Sequence, residues 1–311
     1  MNSRYTWLNG QMIESSRTTI PLLTSGFHYG IGVFEGIRAY ATDRGPAVFR
    51  LREHLERFES SARILGFLEV PYSVAELTAA TAETIRANGY DECYIRPLLY
   101  LGEGGWNLTL DTGKAHVAIA VWQESVYLGH DSPKRGLRAN VSSFARSHPG
   151  ANMTKAKICG NYVNSYLAKT ESHRLGFDEA ILLDPEGFVA ECTGANLFLV
   201  RHGKLVTPSS ETILEGITRN TVTTFAADLG IPVFEGRVSR DQLYLADEVF
   251  VCGTAAEIVG LCEVDGRRVG TGETGPLTRR LQQIYADAVH GRHPRSPEWL
   301  EYVGVAAAKG V

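Results

Sequence analysis

The stretch Glu191-Cys192-Thr193-Gly194-Ala195-Asn196-Leu197-Phe198, followed by Leu205-Val206-Thr207 and then by Leu214-Glu215-Gly216-Ile217-Thr218-Arg219, decides how this chain is read. Leu197–Val200 is a short apolar run with strand character. His202-Gly203 turns the chain back into Leu205-Val206. Thr218 then reads as the cap of a helix, with Val222, Phe225, Ala226 and Leu229 on one face and Gly230 beyond its end. A strand, a turn, a strand and a helix within about forty residues signal a mixed architecture. The neighbouring sequence continues it. Strands are expected at Glu179–Leu183, Phe188–Ala190, Pro232–Phe234 and Glu248–Cys252. Gly253-Thr254-Ala255-Ala256 follows the last of these. A long final helix starts at Pro276, with Leu277, Leu281, Ile284 and Ala288 on its inner face.

The first third alternates in the same way. Asn9-Gly10 between Tyr5–Leu8 and Gln11–Ile13 predicts a hairpin. Pro46–Phe49 reads as a strand. Leu51, Leu55, Phe58, Ala62 and Leu65 keep helical spacing up to Gly66. Ser73 and Glu76 make a capping box for a second helix carrying Leu77, Ala80, Thr81 and Ile85, and Asn88-Gly89 ends it. Strands follow at Cys93–Leu101 and His116–Trp122, and another near Val141. A helix from about Asn161 to Arg174 closes at Gly176. The segment from Gln123 to Arg138, with Gly129, Pro133, Lys134, Arg135 and Gly136, reads as a connection between domains. The expectation is an α/β (α+β) protein: a smaller N-terminal domain over 1–122, a connection over 123–138 and a larger C-terminal domain over 139–311. The small-residue tail Gly304–Val311 reads as mobile.

Composition narrows the class. A chain of 311 residues with 44% hydrophobic and 21% charged residues fits a water-soluble protein with a sizeable core. A net charge of −4 gives no electrostatic basis for binding nucleic acid or an anionic membrane. No apolar run approaches the ~20 residues of a membrane span. The start, Met1 to Trp7, lacks the apolar region of a signal peptide, so a cytoplasmic location is expected. Five scattered cysteines without a CxxC pattern point to reduced structural thiols and to no metal site.

Some residues in this framework have chemical potential. A helix starting near Gly216-Ile217-Thr218 offers backbone N–H groups and a positive dipole end to an anion such as a phosphate. The Gly253-Thr254-Ala255 turn offers further amides and a hydroxyl. Lys157, between half-apolar segments and five residues before Tyr162, has the setting of a desolvated and therefore nucleophilic amine. Composition alone leaves Lys155 as a competitor, since a lone lysine is most often a solvated charge. Glu191 ends a strand, where a solvated carboxylate is the ordinary reading, as a core aromatic is for Tyr162. An arginine such as Arg96, in Tyr94-Ile95-Arg96-Pro97, is most often a structural ion-pair partner.

Taken together, these residues are more specific than any one of them. A lysine, an acid and a phosphate-type helix end are what a pyridoxal 5′-phosphate (PLP) enzyme requires. The chain resembles the class IV (fold type IV) PLP-dependent aminotransferases, and among them the branched-chain amino acid aminotransferases, over nearly its whole length. The resemblance rests on His28-Tyr29-Gly30, Val33-Phe34-Glu35-Gly36-Ile37-Arg38, Leu51-Arg52-Glu53-His54-Leu55-Glu56-Arg57, Tyr94-Ile95-Arg96-Pro97, Lys157 with Gly160-Asn161-Tyr162, Tyr244 to Phe250, and Gly253 to Glu257. It implies a C-terminal domain with a β-barrel-like sheet core.

The resemblance also implies roles. Lys157, rather than Lys155, matches the Schiff-base lysine and proton shuttle. Glu191 matches the acid at the pyridine nitrogen, and Tyr162 the hydroxyl at the ring oxygen. Arg57, Ile217 and Thr218, with Gly216, and Thr254 with Gly253, match the phosphate cup. The Thr254-Ala255 amides match the site of the substrate α-carboxylate. Phe34, Tyr94, Tyr127 and, from a second subunit of a homodimer, Tyr29 match the walls of the side-chain pocket. Arg96 matches the group that receives glutamate's distal carboxylate.

The implied activity is ping-pong transamination between L-leucine, L-isoleucine or L-valine and 2-oxoglutarate, giving branched 2-oxo acids and L-glutamate. Three alternatives belong beside it. A class IV relative could act on aromatic L-amino acids, D-amino acids or (R)-amines. A lyase of the aminodeoxychorismate type would need no oxo-acid acceptor. A non-catalytic relative would have no use for Lys157, Glu191, Tyr162, Arg57 and Thr218 together. The loop Gly102 to Leu108, with Trp106, departs from the branched-chain pattern, and in the family this loop reaches the partner's pocket. His148 carries no implied role and reads as a surface-loop residue.

Overall fold

The structure is a computed structural model that describes residues 3–104, 108–111, 113–123 and 136–304. Tyr127, Trp106, most of the 123–138 connection and the tail beyond Gly304 therefore lie outside the described residues. By its contacts the chain forms two compact units. The first comprises Met1–Glu124, Ala156–Gly160 and Asp287–Val311; the second comprises Ser125–Lys155 and Asn161–Ala286. The short Ala156–Gly160 segment, which contains Lys157, thus groups with the first unit although the sequence on both sides of it belongs to the second.

The first unit is built on an antiparallel sheet. Its strands are β1 (Tyr5–Leu8), β2 (Gln11–Glu14), β3 (Gly32–Phe34), β4 (Ile37–Tyr40), β5 (Ala47–Phe49), β6 (Cys93–Gly104), β7 (Gly113–Trp122) and β17 (Leu300–Tyr302). They lie in the order β17-β5-β4-β6-β7-β1-β2, with β3 paired to β6. The Asn9-Gly10 turn has the two positive φ angles, 50° and 87°, that a tight hairpin between right-twisted strands requires. The helix Leu51–Leu65 buries Leu51, Leu55, Phe58 and Ala62 and stops at Gly66 in the left-handed region, φ 107°. The helix Val74–Asn88 has the expected capping box between Ser73 and Glu76 and ends at Gly89. Both helices pack into one core with Ile37, Ile95, Leu99, Val117 and Ile119 from the sheet.

The second unit holds a nine-stranded mixed sheet. Its strands are β8 (Leu137–Val141), β9 (Glu179–Leu183), β10 (Val189–Cys192), β11 (Asn196–Arg201), β12 (Lys204–Pro208), β13 (Val233–Gly236), β14 (Glu248–Gly253), β15 (Glu257–Val264) and β16 (Arg267–Arg268). The order is β10-β9-β8-β15-β14-β11-β12-β13, with β16 on β15. Pairs β8–β9, β8–β15 and β12–β13 are parallel, and the others are antiparallel. The helices Tyr162–Arg174, Ile217–Asp228, Arg240–Leu245 and Pro276–Val289 accompany it. Leu197, Leu199, Val249, Val251, Val259 and Leu261 pack one face of these strands with alternating spacing, while Phe198 and Phe250 stack at 5.1 Å, buried on the other face.

Two expectations need correction. The cap of the helix Ile217–Asp228 is Gly216, with Thr218 already inside the first turn. A side chain at 216 would bring its Cβ to 1.9 Å from Asn196 Oδ1, so the cap position takes glycine. In the last helix the buried positions are Thr278, Leu281, Tyr285, Ala288 and Val289, whereas Leu277 and Ile284 are half-buried. Thr278 turns inward because Glu248 accepts hydrogen bonds from its N–H and hydroxyl at 2.8 and 2.7 Å. Among the described residues no helix is long and apolar enough to cross a membrane.

Candidate active site

In the first unit, candidate residues gather around Phe34 at the end of β3. Phe34 N–H donates to Lys157 C=O at 3.1 Å, and Ser61 Oγ accepts from Lys157 N–H at 3.0 Å. Gly160 N–H reaches Gly30 C=O at 3.1 Å, and Val33 bridges Ile158. The Lys157 segment therefore lies along 30–34 as a short extra strand. Gly30 allows that approach, since a Cβ there would stand 2.8 Å from Gly160 Cα. Lys157 Nζ lies 5.1 Å from the centre of the Phe34 ring. Tyr29, at the end of the short helix Ser25–Tyr29, is 47% exposed.

The same ring meets Arg96. Its guanidinium carbon is 4.6 Å from the Phe34 ring centre, 5.4 Å from that of Tyr94 and 5.6 Å from that of Trp122. Arg96 Nε is buried with no hydrogen-bond partner. A guanidinium framed by aromatic faces is stabilised by their quadrupoles, yet it retains an unmet demand for an acceptor. That argues against the ordinary reading of a structural ion pair. Trp122, which packs on Tyr94 at 5.0 Å, belongs to this frame although its sequence did not single it out. Its place opposite Tyr94 in the β6–β7 register brings it there.

Arg57 lies on the helix Leu51–Leu65 and is tied to Glu35. Its Nε donates to Glu35 Oε1 at 2.7 Å and its Nη2 to Oε2 at 2.9 Å. His54, one turn earlier, donates from Nδ1 to Glu35 Oε2 at 2.7 Å. Glu35 and His54 are fully buried. Burial alone would raise the carboxyl pKa; Arg57 and His54 outweigh it and hold Glu35 well below the usual range. His54 is held below its usual value, first by burial and then by repulsion from Arg57 and Lys157, against the attraction of Glu35. Glu35, His54 and Ser61 were missed as site residues. An acid directly after an apolar strand, with two basic side chains at i and i+3 on a helix, was the signal.

The second unit supplies the acid and the helix end. Glu191, in β10, is buried. It accepts from Asn196 Nδ2 at 3.2 Å and from Leu214 N–H at 3.3 and 3.4 Å. Arg146 Nε stands 2.6 Å from Glu191 Oε1, but its N–H is not aimed along that contact, so this is an ion pair and not a linear hydrogen bond. Arg146 gave no signal in the sequence, because it is far away in the chain and lies outside any motif. Asn196 also donates to Leu214 C=O at 3.0 Å, which joins Glu191 to the segment entering Gly216. Ile217 and Thr218 are buried at the start of their helix. Arg219 braces this start by donating to Pro208 C=O at 3.0 Å and pairing with Glu235 at 3.0 Å.

Gly253 ends β14, and Thr254 and Ala255 form the turn that follows. A Cβ on Gly253 would lie 3.3 Å from Gly194 C=O, so this turn packs beside the loop after Glu191. Tyr162 opens the helix Tyr162–Arg174. Lys155 pairs with Glu215 at 2.9 Å and also donates to Ser210 C=O, the part of a structural lysine. His148 is exposed and accepts from Gly150 N–H at 2.9 Å, which makes it a turn-forming residue. The five cysteines are free thiols. Burial pushes Cys93 and Cys252 up to about 12 and Cys159 up to about 11, which makes them poor nucleophiles.

Comparison with known proteins gives the family. The family described as amino-transferase class IV matches residues 32–264. The chain belongs to the class IV aminotransferases. The branched-chain-amino-acid aminotransferase of Pseudomonas aeruginosa is 44% identical over 297 residues, covering 96% of each chain. That of Escherichia coli K12 is 42% identical over 301 residues, covering 96% of this chain and 97% of its own. Among solved structures, the branched-chain aminotransferase of Thermoproteus uzoniensis with norvaline superposes with a TM-score of 0.92 at 43% identity, covering 97% of this aminotransferase and all of that chain. Other solved branched-chain amino acid aminotransferases hold pyridoxamine 5′-phosphate, N-(5′-phosphopyridoxyl)-L-glutamate and 4-methylvaleric acid. The cofactor of this aminotransferase is PLP. Its mixed α/β architecture with two sheets is that of fold type IV.

Proposed function

We propose that this aminotransferase uses PLP to exchange amino groups between L-leucine, L-isoleucine or L-valine and 2-oxoglutarate in a ping-pong cycle. The residues present fit the cofactor. Gly216 leaves the helix start clear of a cap side chain, and any Cβ there would strike Asn196. Glu191 is a buried acid with a cation beside it. When bound, PLP supplies an electron-withdrawing ring that makes the substrate Cα–H acidic and carries the amino group from one half-reaction to the other.

The chain's own groups do the rest. Lys157 anchors the cofactor and, once displaced by the amino acid, takes the proton from the substrate Cα. Glu191 keeps a proton on the cofactor's ring nitrogen. The Tyr162 hydroxyl orients the ring oxygen. Arg57, Thr254 and the first-turn amides of Ile217 and Thr218 hold the phosphate, with Gly216 and Gly253 allowing close approach. The Thr254-Ala255 turn takes the α-carboxylate. Phe34, Tyr94 and Tyr127, with Tyr29 from a second copy, wall the side-chain pocket of a cytoplasmic homodimer.

The observation that carries the dual-substrate reading is Arg96, an aromatic-framed guanidinium with an orphaned Nε. Its aromatic frame suits a branched apolar chain, and its charge suits the distal carboxylate of glutamate. The test is a spectrum of the PLP-loaded protein titrated separately with L-leucine, L-glutamate, L-phenylalanine, D-alanine and (R)-1-phenylethylamine. Loss of the visible cofactor band with L-leucine and L-glutamate, and not with D-alanine, is expected. Replacing Arg96 by Met should abolish the response to L-glutamate and leave that to L-leucine largely intact. A response to D-alanine or to the amine, with leucine silent, refutes the substrate assignment.

A further inference from the structure

We propose that Glu35 is a positioning residue: its buried carboxylate fixes the Arg57 guanidinium for a phosphate oxyanion, in register with Lys157. The inference rests on the reading of Arg57 as part of the phosphate cup and adds what holds it there. An arginine side chain has four rotatable bonds, and a phosphate site needs its donors placed to within about 0.5 Å. Glu35 meets that requirement with two bonds to one edge of the guanidinium, which fix its plane as well as its position. His54 takes up Glu35 Oε2 from the same helix, so the carboxylate cannot follow Arg57 if Arg57 moves. Gly36 N–H adds a further bond to Oε2 at 3.3 Å.

The backbone supplies the register. Glu35 N–H is fixed to Pro97 C=O at 3.0 Å, while the adjacent Phe34 N–H holds Lys157 C=O. Consecutive residues of one strand end thus grip the lysine segment and the arginine. Ser61, one turn beyond Arg57 on the helix, holds Lys157 N–H from the other side. A pair placed only for stability would gain little, since replacing a buried ion pair by packed apolar groups is often neutral. Glu35 also offsets the charge of Arg57 with His54 kept neutral. Arg57 then contributes directed hydrogen bonds more than net charge, and its orientation becomes the variable that matters.

The test compares PLP with pyridoxal, which lacks the phosphate, as ligands of the full-length apoprotein, with binding read from the visible absorbance of the bound cofactor. Glu35→Gln keeps the side-chain shape and removes the charge. It should weaken PLP about tenfold or more and leave pyridoxal unchanged, because a charge-assisted bond is lost only on the phosphate side. In an Arg57→Met background the same change should have no further effect on PLP. Glu35→Asp retains the charge, cannot span both partners, and should shift the PLP-to-pyridoxal ratio in the same direction. It covers the case in which Glu35→Gln does not fold. Equal weakening of both ligands, or an undiminished effect in the Arg57→Met background, assigns Glu35 a structural role and overturns the proposal. If Arg57→Met itself leaves the ratio unchanged, the phosphate reading of Arg57 fails, and the proposal with it.

Discussion

Breaking the Glu191–Arg146 pair is the sharpest perturbation the second unit offers. The two side chains are 8% and 11% exposed, and they approach to 2.6 Å. In Glu191→Gln the amide N–H₂ or O must face Arg146, and the guanidinium keeps its full charge without a counter-charge. Removing one partner of a buried pair costs about 3 kcal/mol or more. Arg146→Met removes the other charge and leaves the buried carboxylate without this counter-charge, at a similar cost. With a urea slope of about 2 kcal/mol per molar, 3 kcal/mol moves a midpoint by about 1.5 M. The double variant should recover a coupling of about 2 kcal/mol.

The assay can separate the units. The described tryptophans, Trp7, Trp122 and Trp299, all fall in the first unit, so their fluorescence reports on that unit. Far-UV circular dichroism follows both, and the part of the transition not shared with fluorescence belongs to the second unit. Both single variants should shift that part and leave the tryptophan midpoint in place. Additivity of the two single variants within about 0.5 kcal/mol would refute the pair as an energetic unit. Function should split as well: Glu191→Gln loses the acid, whereas Arg146→Met keeps it and should retain more of the half-reaction with L-leucine.

Two further outcomes follow from buried groups. In the first unit, folding lowers the pKa of His54 from the ordinary 6.5 and that of Glu35 from 4.5, so the unfolded chain binds more protons in both windows. Stability read by tryptophan fluorescence should therefore be complete above pH 6.5. It should fall on acidification by up to about 1.4 kcal/mol per pH unit for the His54 proton, and fall further below 4.5, with His54→Gln flattening the upper limb. In the second unit, Glu248 accepts from the N–H groups of Leu277 and Thr278 at 2.9 and 2.8 Å and so caps the last helix from another strand. Glu248→Ala should cost about 2 kcal/mol in urea unfolding, and an unchanged midpoint would show that the cap is dispensable.

What the sequence disclosed depended on how local the determining interaction is. The Asn9-Gly10 hairpin and the Ser73–Glu76 capping box are written in adjacent residues, and both are present. The helix at Ile217 starts ahead of where a Thr218 cap would put it. The cap is a glycine chosen to clear Asn196, twenty residues earlier, and a Thr in the first turn resembles a cap when that neighbour is not visible. Lys155 and Lys157 are alike in composition. Composition does not separate them; the resemblance favours Lys157, and in the fold Lys155 pairs with Glu215 while the Lys157 segment lies along 30–34. Arg146, Ser61 and Trp122 are set against their partners by tertiary packing, and no spacing rule connects them.

The two buried carboxylates show why motif recognition needs geometry beside it. Glu35 follows the end of β3 and Glu191 lies in β10, and both are buried and face an arginine. Burial alone would nominate either as the acid that meets a cofactor nitrogen. Their hydrogen bonds divide them. Glu35 accepts three bonds of 2.7 to 2.9 Å from charged or ring donors. Exchanging any of these for a new donor would break a tight, fully desolvated set, so Glu35 is committed to its neighbours. Glu191 accepts bonds of 3.2 to 3.4 Å from Asn196 and Leu214, and its arginine stands close without a linear bond. On the function proposed above, a charge-assisted bond from a pyridinium N–H would be stronger than the long bonds from Asn196 and Leu214. The same residue type is therefore a clamp on Arg57 in one unit and, on the function proposed above, a partner for the cofactor's ring nitrogen in the other.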